Sequence, residues 1–219
     1  MLKRLCWTGF LWLLGGLLGC ATPNPNVRVR RLPEGQLEVD GPLAGPFETL
    51  GQLAAEACEL MMNQPGASNR AYGFEYCALH YYSVSGGGYF LSYLSNIGGD
   101  KAGGTKYCEM PRALRDPMHG DAVLLGGDHT HPYPQGFSKR DTSSKAHWNP
   151  VRFVDPVTHQ LRERQLMVFF RDRRGTCKAY NYNNATRVVT ALRDGQWVSI
   201  GQADDDGDIK LFEGMEWLE

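Results

Sequence analysis

Residues 128 to 141 read Asp128-His129-Thr130-His131-Pro132-Tyr133-Pro134-Gln135-Gly136-Phe137-Ser138-Lys139-Arg140-Asp141. Two imidazoles and a carboxylate are a common protein ligand set for catalytic zinc, and three protein ligands leave a fourth position for water. The spacing has a geometric reason. The run Ala122-Val123-Leu124-Leu125 is short, apolar and bounded by glycines, as in a buried strand. Residues two apart in a strand face the same way, so His129 and His131 aim side by side while Thr130 turns away. Pro132 cannot donate to a sheet ladder and should end the strand. Ser138 is a good helix N-cap, and a helix entered there puts Asp141 in its first turn, beside the hydroxyl. The loop from Tyr133 to Phe137 then folds Asp141 back onto the histidine pair. The expected cofactor is one Zn2+ per chain, although two imidazoles and one carboxylate also suit iron, cobalt or nickel.

This His-x-His-Pro, five residues, Ser-x-x-Asp string resembles the JAMM signature of the JAB/MPN metallopeptidase superfamily. The resemblance covers roughly residues 47 to 182, on estimated element boundaries. It implies that His129, His131 and Asp141 bind zinc and that an upstream glutamate takes a proton from the zinc-bound water. Glu75, in Tyr72-Gly73-Phe74-Glu75-Tyr76-Cys77-Ala78, is the best match, on a strand read over residues 73 to 82. Cys77-Ala78 stands where bacterial members often carry two glycines, and the gap from Pro132 to Ser138 is shorter than in eukaryotic members. Glu34, Glu38, Glu48, Glu56, Glu59 and Glu109 lie in the approach segment, on or near a helix, or in a Gly/Pro-rich loop. The resemblance implies amide hydrolysis, with Glu75 as the base that later protonates the leaving amine. Ser138 would donate to the developing oxyanion.

The N-terminus bounds where this chemistry occurs. Lys3 and Arg4 precede a mostly apolar stretch, Leu5 to Leu18, which has the length of a signal-peptide core rather than a membrane span. It ends in Leu17-Leu18-Gly19-Cys20, which resembles a bacterial lipobox; the alternatives are an ordinary signal peptide or an uncleaved anchor. On the lipobox reading, residues 1–19 are removed and Cys20 is lipidated. Residues 20–46 form a tether and approach segment, and residues 47–219 form the domain, held to the membrane by acyl chains. Ala21 after the cysteine is similar to outer-membrane sorting in Gram-negative envelopes.

The chain carries 23 Lys and Arg against 24 Asp and Glu, and losing Lys3 and Arg4 with the signal peptide shifts its net charge from −1 to −3. That balance argues against nucleic acid as a partner. Besides Cys6 and Cys20, four cysteines remain: Cys58, Cys77, Cys108 and Cys177. In an oxidising compartment they allow up to two disulfides in any of three pairings, or buried thiols. Cys77 would share a strand face with Glu75.

Phe47, Leu50, Ala54, Ala57, Cys58 and Met61 recur at helical spacing, ending before Pro65-Gly66. Met61 and Met62 read as core filling. Residues 73–82 and 89–95 read as a hairpin around Ser85-Gly86-Gly87-Gly88. Residues 96–120 read as a long loop bordering the pocket, and 142–163 as a second irregular stretch whose His147 and His159 have no partner spacing. Strands follow at 165–171, 176–182, 186–200 and 209–213. Asp204-Asp205-Asp206-Gly207-Asp208 reads as a solvated hairpin turn, since it lacks the ligand alternation of a calcium loop. The expected class is α+β: a mixed, curved sheet packed by one or two helices (JAB/MPN-like), with a C-terminal strand extension. The substrate would be an amide bond in a peptide, a protein tail or a wall cross-link. Two other readings stay open: a non-catalytic JAB-fold binding lipoprotein, and an effector-like hydrolase acting on another cell.

Overall fold

A computed structural model describes residues 23–100, 106–133, 136–143 and 149–218. Residues 1–19, read above as a signal peptide, lie outside the described residues, as do Cys20, Ala21 and His147. No described helix is long and apolar enough to cross a membrane.

The chain opens with three short strands, β1 (Val29–Arg31), β2 (Leu37–Asp40) and β3 (Ala44–Phe47), then helix α1 (Leu50–Met62). After a single 3-10 turn come β4 (Cys77–Ser83), β5 (Gly88–Leu91), β6 (Gly98–Asp100), β7 (Lys106–Cys108), β8 (Ala113–Arg115) and β9 (Val123–Thr130). A one-turn helix, α2 (Lys139–Thr142), precedes β10 (Arg152–Val154), β11 (Leu161–Glu163), β12 (Gln165–Arg171) and β13 (Cys177–Asn183). The chain closes with β14 (Val188–Arg193), β15 (Gln196–Ala203) and β16 (Ile209–Leu211).

Nine strands form one mixed sheet in the order β16-β15-β14-β13-β12-β9-β4-β5-β3. The β9–β12 pair is parallel and its neighbours are antiparallel. With one main helix packed on it, this is a mostly-β member of the broad α+β class. Helix α1 starts where the sequence supplies a cap: the Thr49 hydroxyl accepts from the Gln52 amide, and the Gln52 side chain accepts from the Thr49 amide, both at 3.1 Å. Its buried stripe, Leu53, Ala54, Ala57, Cys58 and Met61, lies against one sheet face with Ala78, Leu91, Met167 and Phe169. Met61 and Met62 are core residues. The opposite face packs Leu166, Val168, Phe170 and Tyr182 under Met110, Phe137, Met215 and Leu218. The chemistry-bearing residues sit on that second face.

Five expectations need correction. The strand expected from residue 73 begins at Cys77, so Glu75 lies in the extended lead-in to β4. Phe47 belongs to β3, not to the helix. Residues 96–120 are not a bare loop; they hold the β6–β7 hairpin and β8, which pairs parallel to β2. Likewise 142–163 contains the β10–β11 hairpin. These strands have three residues each, too few for alternation to show. The stretch read as a tether joins the fold from residue 24 on: Asn24 donates to Gln64, Val27 bridges Leu94, and β1 pairs with β2.

Two disulfides join Cys58 to Cys177 and Cys77 to Cys108. The first ties α1 to β13. The second ties the start of β4 to the end of β7. Such cross-links belong to an oxidising compartment, extracellular or periplasmic.

Candidate metal centre

Strand β9 runs in the middle of the sheet, with His129 between Cys77 of β4 and Val168 of β12. Alternation puts His129 on the second face and Thr130 on the first. The Thr130 hydroxyl accepts the Tyr76 amide at 2.9 Å, and its own amide donates to the Tyr76 carbonyl. Thr130 therefore fixes the residue beside Glu75. The His131 amide donates to the Phe169 carbonyl at 2.7 Å, extending the pairing one step past the strand before Pro132 ends it. The two imidazoles stand edge to face, their centroids 4.8 Å apart.

Helix α2 supplies the carboxylate. The Ser138 amide and hydroxyl both donate to Asp141 Oδ2, at 2.8 and 2.6 Å, which fixes the carboxylate at the helix entry. One ligand atom each from His129, His131 and Asp141 lies within 4.8 Å of the others. Asp141 Oδ2 is 3.7 Å from His129 Nε2. That is too long for a hydrogen bond and near the ~3.4 Å edge of a tetrahedron of zinc ligands. His129 is buried, and among the described residues neither of its ring nitrogens has a hydrogen-bond partner. Leaving a buried polar atom unsatisfied costs about 1–3 kcal/mol, a deficit that coordination through Nε2 would remove. The donor set and the unpartnered Nε2 therefore fit a zinc-type ion.

Glu75 faces the same group, with Oε1 4.0 Å from His131 Nε2. Its other oxygen accepts the Cys108 amide at 3.1 Å. Because Cys108 is cross-linked to Cys77, the β7 segment is held over Glu75 from two directions. Cys77, expected to share Glu75's face and to be one of the disulfide cysteines, anchors the β7 segment that covers Glu75. Of the other glutamates before the motif, three are engaged elsewhere: Glu38 pairs with Arg30, Glu109 with Arg31 and Glu59 with Arg171.

The electrostatics follow from burial and mutual charge. Burial pushes the Glu75 carboxyl above its usual range, against the pull of His129 and the Cys108 amide. Burial acts the same way on Asp141, but the two histidines and Ser138 outweigh it and hold that carboxyl well below the usual range. For His129, burial favours the neutral ring, yet Asp141, Glu75 and Asp128 together raise its pKa.

Asp128, next to His129 in sequence, faces the other way; its Oδ1 is 2.8 Å from His80 Nδ1, with both residues fully buried. It is thus outside the ligand group. His159 sits exposed in the turn after Asp155. Three contributors were not singled out in the sequence: Thr130, the Cys108 amide and the support of α2 described below. Of these only Cys108 had a signal, as one of three possible partners for Cys77. The chain finds no match among protein-family models, characterised proteins or solved structures.

Proposed function

We propose that this chain is a JAMM-type metallopeptidase-like hydrolase of amide bonds, with a JAB/MPN-like arrangement of its sheet and α1. The observation that carries this reading is the convergence of His129, His131 and Asp141 on one face, with Glu75 4.0 Å from His131. Three ligands rather than four, among the described residues, suit a catalytic more than a structural site.

His129, His131 and Asp141 would hold the zinc, whose chemistry is to acidify a bound water and polarise a carbonyl. Glu75 Oε1 accepts the proton of the attacking water and returns it to the departing amine nitrogen. The Cys108 amide keeps the second Glu75 oxygen occupied, so one carboxylate oxygen is presented to the reaction. The Ser138 hydroxyl donates to Asp141 in this structure. A single O–H cannot serve two acceptors equally, so its role toward a carbonyl oxygen requires the hydroxyl to turn away from Asp141. The substrate is a peptide or protein amide. The disulfides and the lipobox-like Leu17-Leu18-Gly19-Cys20 support a lipid-anchored place in a bacterial envelope, with Ala21 favouring the outer membrane.

The test is Glu75→Gln against a panel of peptide and wall-derived amides. The variant should keep the metal of the wild type and lose turnover by at least a hundredfold, in line with removal of a general base. Cleavage at the wild-type rate would remove Glu75 from the mechanism.

A further inference from the structure

Helix α2 is four residues long. A helix that short has no stability of its own, because nucleation costs more than one turn returns. It nonetheless carries Asp141, so its position must be imposed from outside.

The imposing contacts come from two elements. The Tyr182 hydroxyl, on β13, donates to the Thr142 carbonyl at 3.1 Å. The Thr142 hydroxyl donates to the Gly207 carbonyl at 2.8 Å, in a fully buried position. Lys139 Nζ reaches both carboxylate oxygens of Asp208, at 2.6 and 2.7 Å, although these groups are solvent-exposed and add little. Gly207 and Asp208 belong to the turn between β15 and β16. That turn is internally braced: Asp204 Oδ1 accepts the amides of Asp206 and Asp208, and the Gly207 amide donates to the Asp204 carbonyl. Arg187 pairs with Asp205.

Gly207 is required twice over. Its φ of +85° is in the left-handed region. Its Cα also presses on the helix: a Cβ there would lie 2.3 Å from the Lys139 carbonyl oxygen and 2.8 Å from the Ser143 amide nitrogen. No side chain fits between the turn and the α2 backbone without moving one of them.

We propose that the Asp204–Asp208 turn, through Gly207 and its bond from Thr142, is the seat that places Asp141 against His129 and His131. Metal affinity then depends on a turn that supplies no ligand. The inference rests on the metal-centre reading. Gly207 and Thr142 are positioning residues, acting on the ion only through Asp141.

The experiment compares wild type, Gly207→Ala, Thr142→Val and Thr142→Ser as purified protein. Zinc affinity is measured by competition with a chromophoric chelator, the Co2+ visible spectrum reports ligand geometry, and far-UV circular dichroism reports folding. Gly207→Ala and Thr142→Val should each weaken zinc binding 10- to 100-fold, the range for loss of a group that orients a ligand. Both should alter the Co2+ spectrum, while Thr142→Ser, which keeps the hydroxyl, should stay near wild type. Wild-type affinity and spectrum in both weakened variants would overturn the proposal. So would equal losses in Thr142→Val and Thr142→Ser, which would assign the effect to packing. If Gly207→Ala does not fold, the Thr142 pair decides alone. A wild type that binds no zinc would instead overturn the metal-centre reading itself.

Discussion

The two disulfides offer a perturbation whose size can be worked from the topology. Cys77–Cys108 closes a loop with a sequence separation of 31, and Cys58–Cys177 one of 119. The smaller loop lies inside the larger. With it closed, the chain path of the outer loop shortens to about 90 residues, which the loop-entropy relation converts to about 4.6 kcal/mol at 25 °C; the inner loop gives about 3.7 kcal/mol. Packing losses should cancel, because each bridge joins one fully buried sulfur (Cys58, Cys77) to one half-buried partner (Cys177, Cys108). Urea unfolding of Cys58→Ala/Cys177→Ala and of Cys77→Ala/Cys108→Ala, each retaining the other bridge, should therefore show the outer pair costing about 1 kcal/mol more than the inner. The reverse order would refute the reasoning. It would mean that native contacts of the β7 segment, among them the Cys108 amide on Glu75 and Met110 against Gly127, dominate over chain entropy.

Two further outcomes follow from the core. Asp155 is fully buried and accepts from Tyr82, from Arg162 and from the Val157 and Thr158 amides; these bonds, Tyr82's foremost, hold its carboxyl well below the usual range. A depressed folded-state pKa adds stability that is present above the ordinary Asp value near 4 and is lost as pH falls below it. Asp155→Asn should therefore flatten the acid limb of the stability–pH profile between about pH 5 and 2, and an unchanged limb would contradict this. Met61→Ala, at a fully buried site beneath α1, should cost about 2–5 kcal/mol in urea unfolding by leaving a cavity; a loss under 1 kcal/mol would show that α1 collapses onto the sheet.

The sequence is legible where the signal is local. His129, Thr130 and His131 declare a strand face through period two, and Ser138 with Asp141 declares a helix entry through a spacing of three. Thr49 with Gln52 carries the same signal for α1, but the helical spacing, taken from Phe47, passed over it. The rest is carried by contacts between residues far apart in the chain. Glu75 was found from its neighbours, yet its place in a lead-in rather than a strand is set by Thr130, 54 positions away from Tyr76. The three-residue strands β6, β7 and β8 are shorter than any periodic pattern can reveal. The Asp-rich segment reads correctly as a hairpin turn, but nothing in its composition says that Gly207 will press on a helix 65 positions earlier in the chain. The Cys77–Cys108 pairing became definite only once β7 was seen to lie over the start of β4.

The most direct measurement is elemental analysis of the purified protein beside His129→Ala and Asp141→Ala. One zinc per chain in the wild type, lost from both folded variants, is the expected result. A folded wild type that holds no metal and cannot be reconstituted with zinc would contradict the account, and would reduce the His-His-Asp group to a scaffold for binding alone.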